Sequence, residues 1–396
     1  MVKNRHILFI VENNPAPPDA RVWNEALAAR EFGYEVSVIG PRDNLRGDNR
    51  RVIKDIQIYR HPRPRERSGK FPLILEYLNA AFWELLLSIR VYLNNPFQVI
   101  HGANPPDHIF LIAILFKLTG VKYIFDHHDI TPENYAAKFG SKGIIYRLLL
   151  IMEWLTFKSA NLVVSTNESY ANIAKERGGK QEKDIIVVRN GPDLSRIPSA
   201  GPNPKLREGF QYLVGYVGVI GQQEGIENLL TAVRYIVEEK KRNDIKFIIV
   251  GPGPHLNAVR NQAKEMQLDR YVKFTGYIPK KELVEVLTTA DVCINPEYAN
   301  EFTDKSTMIK VMEYMAFGKP IIQFYTKEGE VTAGEAAIYI RENNAAKFAD
   351  AIIDLLDDPA RRKKMGEIGK YRISEMFGWA IQKQHLREAY NRVLHE

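Results

Sequence analysis

The sequence predicts an α/β protein of two doubly wound domains that face each other across a cleft. Three observations support this fold class. The 396 residues exceed what one compact core usually organises. Short apolar runs alternate with helical stretches along the whole chain, and the alternation pauses once, at the proline-rich segment 197–204. Because strands separated by helices pair in parallel, each half is expected to be a Rossmann-like domain.

Short β-branched or apolar runs predict the strands of the first domain, which are His6–Val11, Tyr34–Ile39, Val99–His101, Val121–Phe125, Asn161–Ser165 and Asp184–Val188. Similar runs predict those of the second, which are Tyr212–Val217, Lys246–Val250, Val272–Thr275, Asp291–Ile294 and Pro320–Phe324. Helical spacing appears at Ala20–Phe32, Ile226–Glu239, His255–Met266 and Trp379–Leu394. We therefore predict domains over 1–195 and 205–375, and a C-terminal helix over 376–396 that can cross back to the first domain.

The composition is that of a globular protein, with 45% apolar and 26% charged residues. The single cysteine, Cys293, excludes an intrachain disulfide, and its apolar neighbours favour a small core residue over a nucleophile. Lys3 and Arg5 precede a short strand and then Glu12, which does not fit a signal peptide and favours a cytoplasmic protein.

Two apolar segments raise the question of a membrane. Phe71–Leu93 contains three charged residues, which argues against a transmembrane helix, and Ile144–Phe157 is too short to span a bilayer. Each segment can lie on an anionic membrane surface, helped by the net charge of +7, or simply pack on its own core. The basic run Arg60–Arg67 suits an anionic lipid or a phosphate-bearing acceptor, whereas no nucleic-acid-binding module is visible.

The glycine patterns point to a phosphate only weakly. No P-loop pattern is present, and Gly251-Pro-Gly253 lacks the third glycine of a dinucleotide-binding turn. Gly218 and Gly221 follow a predicted strand and precede a helix, where backbone N–H groups can approach a phosphate. A tight turn without a ligand is the alternative.

The stretch from Asn295 to Pro320 is the most informative. It predicts a helix that Ser306 or Thr307 caps and that buries an apolar face of Ile309, Met312, Met315 and Ala316. The N-terminus of such a helix favours an anionic diphosphate. Glu313 is expected on the same side as Lys305, Lys310 and Ser306, where a carboxylate can accept two hydrogen bonds from a ribose cis-diol.

Glu313-Tyr-Met-Ala-Phe-Gly-Lys-Pro320 resembles the donor-binding helix of the family-4 retaining glycosyltransferases of the two-domain type called GT-B. The resemblance implies that Glu313 holds the donor ribose and that Ser306, Thr307 and Met308 meet the sugar and diphosphate. It also implies that the loop of Gly276, Tyr277 and Ile278 contacts the nucleobase.

In the first half, Phe125-Asp-His-His-Asp129 resembles the family's strand-end segment, whose histidine lies near the transferred sugar. His128 is the better match, with His127 as the fallback and Asp129 beside them. The resemblance thus implies an acceptor-binding first domain, a nucleotide-sugar-binding second domain and transfer with retention. It further implies a UDP-sugar as the default donor and no cofactor. No Asp-x-Asp metal site appears in a suitable loop, which agrees with a metal-independent reaction. The acceptor is expected to be a glycan or a lipid-linked saccharide, the latter because the first half is basic and carries a Leu/Phe/Trp-rich helix. The pattern Asp304-Lys-Ser-Thr-Met308 followed by Lys310-Val-Met-Glu-Tyr-Met-Ala316, together with Asn190-Gly-Pro-Asp193, is similar to that of a bacterial and archaeal subgroup from surface-polysaccharide synthesis.

The chain departs from the family pattern at its charged positions. Lys305 stands where the first glutamate of the paired pattern is expected, with Asp304 and Glu301 as possible substitutes. Val219 and Glu224 stand where the resemblance expects the basic pair that binds the diphosphate. We therefore predict that Lys305 and Lys310 supply the positive charge, with N–H groups from the turn at 218–222.

The family's N-terminal Gly-Gly loop is replaced by Pro17-Pro-Asp-Ala-Arg21, and Arg21 is a further candidate for a phosphate on donor or acceptor. Two alternatives stay open beside the transferase. One is a nucleotide-sugar epimerase of the same fold, and the other is a catalytically silent nucleotide-sugar-binding or scaffold protein.

Overall fold

The computed structural model describes residues 5–42, 48–62 and 70–395. The chain divides into two compact units, one of Met1–Arg189 with Gln382–Glu396 and the other of Asn190–Ile381. Each unit has its own largely parallel sheet, which confirms the predicted fold class. Across the described ranges, no helix combines the length and the apolar character that crossing a membrane requires.

The sheet of the first unit has eight strands, which are β1 (His6–Val11), β2 (Glu35–Pro41), β3 (Arg50–Ile53), β4 (Ile56–His61), β5 (Val99–Ala103), β6 (Lys122–His127), β7 (Leu162–Ser165) and β8 (Ile185–Val187). Their order is β3-β4-β2-β1-β5-β6-β7-β8, and only the β3–β4 pair is antiparallel. All six residues of β1 are buried, as expected for a central parallel strand covered on both faces.

The helices that accompany this sheet are α1 (Ala20–Glu31), α2 (Lys70–Asn94), α3 (Ile109–Lys117), α4 (Thr131–Phe139), α5 (Ile144–Ser159) and α6 (Glu168–Glu176). Asp19 caps α1 by accepting a hydrogen bond of 3.0 Å from the Val22 N–H. Asn167 caps α6 in the same way, through the Tyr170 N–H at 2.8 Å. The Asp and Asn before the apolar runs therefore set where these helices begin.

The second unit has a six-stranded sheet of β9 (Tyr212–Val217), β10 (Ile245–Val250), β11 (Val272–Gly276), β12 (Val292–Asn295), β13 (Ile321–Phe324) and β14 (Ala337–Ile340). The order is β11-β10-β9-β12-β13-β14, with every neighbouring pair parallel. Its helices are α7 (Ile226–Glu238), α8 (Leu256–Glu265), α9 (Lys280–Thr289), α10 (Ile309–Ala316), α11 (Lys327–Ala333), α12 (Ala345–Leu356) and α13 (Pro359–Arg372). Cys293 is fully buried in this sheet, as predicted.

The last helix, α14 (Trp379–His395), begins in the second unit and continues into the first. At its start the Trp379 N–H donates to the Pro192 carbonyl at 3.1 Å. Further along, Gln382 accepts from the Arg189 N–H at 2.8 Å, and the Tyr390 hydroxyl lies 3.0 Å from Nδ1 of the buried His101. Residues from 382 onward thus belong to the core of the first unit.

Three strands go beyond the sequence-based prediction, namely β3, β4 and β14. The basic run Arg60–Arg67 begins inside β4, where Arg60 and His61 are both buried. The Arg60 guanidinium donates to the Ala16 carbonyl, so this arginine supports the fold and is not an exposed charge. Residues 63–67 of the run lie outside the described residues.

Candidate functional site

Two backbone segments touch at the turn that follows β9. The Gly218 N–H donates to the Val250 carbonyl at 3.0 Å, and the Ile220 N–H donates to the Pro252 carbonyl at 2.9 Å. Gly251 has φ +141°, and a Cβ there would lie 1.8 Å from the Gly218 carbonyl oxygen. The Gly-Pro-Gly sequence at 251–253 is therefore a packing element that lets the two turns approach.

This packing uses two of the N–H groups that the sequence analysis assigned to a phosphate. Because the N–H groups of Gly218 and Ile220 already donate within the chain, a phosphate here would rely on those of Val219, Gly221 and Gln222. The turn at 218–222 thus offers fewer donors than its glycines indicate.

Lys310 lies between two carboxylates beside the same turn. Its Nζ is 2.6 Å from Oε2 of Glu224 and 3.7 Å from Oε2 of Glu297. Burial opposes the ammonium charge, but the carboxylates of Glu297 and Glu224 raise the pKa of Lys310 above its usual range. Burial raises the pKa of Glu297 to about 7, with the nearby Glu224 charge adding to the effect. The Tyr216 hydroxyl also donates to Glu224, at 3.2 Å.

Lys310 therefore places a positive charge beside the 218–222 turn, but the Glu224 carboxylate already neutralises this charge. Glu224 is the residue that stands where the resemblance expects a basic side chain. The structure places the lysine on α10 and its carboxylate partner 86 positions earlier in the chain. A diphosphate at the turn would have to replace Glu224 as the partner of Lys310.

Helix α10 starts later than predicted. Its N-cap is Met308, which makes no side-chain capping bond, so neither Ser306 nor Thr307 caps it. The Ser306 hydroxyl donates instead to the Phe302 carbonyl at 2.8 Å, because a short 3₁₀ turn at Thr303–Lys305 precedes the helix. Because the N-cap residue supplies no side-chain acceptor, the N-terminus of α10 keeps its capacity for an anion.

The substitutes for the missing glutamate lie in or beside that 3₁₀ turn. Asp304 accepts a hydrogen bond of 2.7 Å from the Lys327 N–H, which ties the turn to α11. Lys305 is half-buried at the end of the turn, and Glu301 is exposed before it. Asp304 therefore has a structural partner already.

Glu313 lies on α10, and its carboxyl group is largely buried. Burial raises the pKa of its carboxyl, while the charge of Lys280 opposes the shift. Within the described ranges no side chain or N–H donates to this carboxylate. The buried face of the helix is formed by Val311, Met312, Tyr314 and Met315, whereas Ile309, predicted on that face, is 47% exposed. Glu313 is thus an available acceptor held at the edge of a packed helix.

The predicted nucleobase loop follows β11. Gly276 has φ +69°, a conformation that favours glycine and turns the chain out of the strand. Tyr277 is 79% exposed, and Ile278 packs partly against the core. Because β9, β10, β11 and β12 are parallel neighbours, this loop, the 218–222 turn and Glu297 lie at the same edge of the sheet.

His127, the fallback catalytic residue, is a core aromatic residue. Its ring is fully buried, with ring centroids 5.0 to 5.3 Å from those of Phe125, Phe157 and Tyr170. Burial lowers the pKa of His127 to about 3, so the ring is neutral at pH 7. The prediction of a catalytic role for His127 is corrected accordingly, since the ring faces the core.

His128 is oriented by a buried aspartate. Its Nδ1 lies 3.1 Å from Oδ2 of Asp126, and its backbone N–H donates to Asn104 at 3.0 Å. Burial opposes ionisation of Asp126, but Arg21 and His128 hold the pKa of Asp126 well below its usual range. An ionised carboxylate only accepts, so Nδ1 of His128 carries a proton and points to Asp126.

Arg21 is the cation that balances this aspartate. Its Nη2 lies 2.6 Å from Oδ1 of Asp126 and 3.1 Å from Oε1 of Glu25, and its Nη1 donates to the Val188 carbonyl at 2.9 Å. The side chain is buried. The predicted role as a phosphate ligand is therefore corrected, because the guanidinium is committed to buried carboxylates of its own unit.

Asp129 follows the two histidines in a supporting position. Burial raises the pKa of its carboxyl, although a hydrogen bond of 3.0 Å from Asn134 favours the charged form. Asn104 joins this segment together, since its amide accepts from the N–H groups of His128 and Asp129 and donates to the Asp129 carbonyl. Asp129 shapes the loop that presents His128.

Sequence reasoning missed Asp126, Asn104, Glu297 and Tyr216. Asp126 stood inside the quoted segment Phe125-Asp-His-His-Asp129, and its place at a strand end was the available signal. The other three act through contacts that form only in the folded chain, Asn104 with the N–H groups of His128 and Asp129, Glu297 with Lys310, and Tyr216 with Glu224.

Each of the two units matches a known family of glycosyltransferases. Residues 20–196 match the family described as Glycosyltransferase Family 4, and residues 211–358 match the one described as Glycosyl transferases group 1. An uncharacterised glycosyltransferase of Methanocaldococcus jannaschii is 26% identical over 378 residues, covering 92% of each chain.

Solved structures resemble the whole chain as well. Sucrose-phosphate synthase from Thermosynechococcus elongatus superposes with a TM-score of 0.80 at 16% identity, over 99% of this chain and 100% of that one. Anabaena HepE in complex with UDP-glucose gives a TM-score of 0.73 at 15% identity, over 98% and 99% of the two chains. These likenesses show the fold.

Proposed function

This chain belongs to the family-4 glycosyltransferases of the GT-B type, and from that premise we propose that it transfers a sugar with retention from a nucleotide-diphosphate sugar. The acceptor we propose is a glycan or a lipid-linked saccharide of cell-surface polysaccharide synthesis. The observation that carries the proposal is Glu313, a carboxylate without a donor in the described part of the chain. The UDP-glucose complex of Anabaena HepE supports a UDP-sugar as the donor.

In the proposed reaction the bond between the anomeric carbon and the diphosphate oxygen breaks as the bond to the acceptor oxygen forms on the same face. The acceptor proton passes to the departing diphosphate oxygen. Glu313 holds the ribose, while Lys310 and the N-terminus of α10 stabilise the charge that develops on the diphosphate. Nε2 of His128 forms a hydrogen bond with a hydroxyl of the transferred sugar. The proposed route uses no metal ion.

The test is to incubate the full-length protein with UDP-, GDP- and ADP-sugars, with and without saccharide acceptors. We expect one nucleotide to stabilise the protein against heat and a product whose anomeric configuration, measured by NMR, equals that of the donor. An inverted product would exclude the retaining route. A new sugar formed without any acceptor would point to the epimerase instead.

One observation favours the silent nucleotide-sugar-binding protein as a second candidate, namely the neutralisation of Lys310 by Glu224. The two candidates differ in what they require of this pair. A transferase needs Lys310 for the leaving group at the moment of bond breaking, whereas a binding protein does not. Donor binding without any transfer, across a broad acceptor panel, would support the second candidate.

Replacing Glu224 with glutamine is expected to tighten binding of the nucleoside diphosphate by about 5- to 10-fold, roughly 1 kcal/mol. The substitution removes a negative charge beside the phosphates and leaves Lys310 available to them. Isothermal titration with UDP, or with the base found in the panel, measures the change. Glu330→Gln on α11 is the control and should bind as the unsubstituted chain does. Weaker binding in Glu224→Gln would show that this carboxylate supports the donor site.

We also propose that the first unit binds an anionic membrane surface. Helix α3 packs against both α2 and α5, and each of the three exposes one apolar face. These faces comprise Leu78, Phe82, Leu86, Ile89 and Leu93 on α2, Leu111, Ile114 and Leu115 on α3 with Leu118 directly after it, and Ile144, Leu148, Ile151 and Trp154 on α5. The exposed Arg90, Arg147 and Lys158 on the same helices suit anionic headgroups.

Sedimentation with vesicles of a phosphatidylglycerol mixture at low salt tests this surface. We expect the full-length protein to bind, and Leu115→Asp with Trp154→Ala to lower the partition coefficient by about 10-fold, since the loss of apolar area and the added negative charge both oppose insertion. Leu194→Asp, an exposed leucine of the other unit, is the matched control. Equal binding of the double variant, or none by the parent, would contradict the membrane proposal.

A further inference from the structure

Four buried titratable side chains meet at one edge of the first unit's sheet. Glu12 follows β1, His61 ends β4, Glu84 lies on α2 and His108 directly precedes α3. Oε2 of Glu12 lies 3.0 Å from Nε2 of His61. One ligand atom from each of Glu12, His61 and Glu84 lies within 4.8 Å of the other two. The proposed transfer reaction uses none of these groups.

Three ligand atoms converge on the space between these side chains. Nδ1 of His61 lies 3.2 Å from the Pro62 carbonyl, which only accepts, so Nδ1 carries a proton and Nε2 faces the carboxylates. Nε2 of His61 pairs with Oε2 of Glu12, whereas Oε1 of Glu84 has no hydrogen-bond partner in the described part of the chain. Two buried carboxylates this close are unfavourable unless a cation lies among them, and a metal ion on Nε2 of His61 would take the place of a proton there.

A second buried cluster in the same unit shows how the chain supplies such a cation itself. Glu25, His101 and Asp126 also bring three ligand atoms together. There the Arg21 guanidinium lies 3.1 Å from Glu25 and 2.6 Å from Asp126. In the cluster of Glu12, His61 and Glu84, by contrast, no lysine or arginine of the described ranges pairs with either carboxylate, and the partners are histidines, His61 for Glu12 and His108 for Glu84.

We propose that Glu12, His61 and Glu84 bind one divalent transition-metal cation, with Zn²⁺ as the representative ion. Two carboxylate oxygens and an imidazole nitrogen are ligands that Zn²⁺ accepts, and three protein ligands leave a position for water. Nε2 of His108 lies 2.6 Å from Oε2 of Glu84, which orients that carboxylate and leaves Oε1 for the ion. The ion ties the ends of β1 and β4 to α2. This site is independent of the proposed transferase reaction.

The test uses the full-length chain after dialysis against a chelator. Zn²⁺ is titrated in competition with a chromogenic chelator, and Co²⁺ is titrated with visible absorption as the readout. We expect one equivalent of Zn²⁺, a Co²⁺ spectrum of nitrogen and oxygen coordination, and a higher melting temperature with metal. Glu84→Gln and His61→Gln should each weaken Zn²⁺ binding by at least about 100-fold, and His108→Gln by about 10- to 100-fold.

Glu25→Gln in the second cluster is the matched control and should still bind one equivalent. Failure of the unsubstituted chain to bind Zn²⁺ or Co²⁺ stoichiometrically at micromolar concentration would overturn the proposal, whatever the variants do. Undiminished binding in folded Glu84→Gln and His61→Gln, checked by circular dichroism, would overturn it as well.

Discussion

Replacing Glu313 with alanine is expected to weaken binding of the nucleotide sugar by about 100-fold, roughly 3 kcal/mol. The carboxylate has no donor in the described part of the chain, so in the proposed complex it accepts from both ribose hydroxyls. Each hydrogen bond to a charged acceptor contributes about 1.5 kcal/mol, and both are lost in the variant. Isothermal titration with the nucleoside diphosphate and its sugar measures the change, and turnover should fall with it.

The pH dependence of the same binding provides a second measurement. Burial raises the pKa of Glu313, so its carboxylate takes up a proton at higher pH than an ordinary glutamate does. Binding should therefore weaken as the pH falls through that raised pKa, and the Glu313→Ala variant should lack this dependence. Glu367→Ala, an exposed glutamate on α13, is the control. Unchanged affinity in Glu313→Ala would remove the main support for the donor site.

Replacing Arg21 with methionine is expected to destabilise the first unit by about 3–5 kcal/mol. The guanidinium pairs with Asp126 and Glu25, both fully buried, and methionine would leave Asp126 without its cation. Denaturant unfolding followed by a probe of the first unit measures the loss, because two units need not unfold together.

The matched control is Arg90→Met on α2, an exposed arginine, for which a change within about 0.5 kcal/mol is expected. The experiment also separates the two roles considered for Arg21. A phosphate ligand would lose substrate affinity at unchanged stability, and that outcome would contradict the buried ion pair as its function.

The strands that escaped prediction show where local patterns stop being informative. Strand β4 ends with Arg60 and His61, which a hydrophobic pattern assigns to the surface. Both are buried because distant groups pair with them, namely the Ala16 carbonyl and the Glu12 carboxylate. Polar residues at a strand end can be buried when distant groups pair with them, so their residue types alone do not predict the burial.

The start of α10 illustrates the same limit at a helix cap. Ser306 and Thr307 are good capping residues, and the sequence predicts that one of them caps. The preceding 3₁₀ turn brings the Phe302 carbonyl within 2.8 Å of the Ser306 hydroxyl, which donates to it instead. The helix itself and the position of Glu313 on it were nevertheless predicted correctly, because both depend on the spacing of the apolar residues.

Local sequence was enough to predict two α/β halves, most of the parallel strands of both sheets and a glutamate on α10, because periodicity and turn chemistry act between near neighbours. Which charges are available was decided by the folded chain alone. Arg21 meets Asp126 from 105 positions away, and Lys310 meets Glu224 from 86 positions away. Pairing and burial over such separations determine protonation and availability, and no local pattern encodes them.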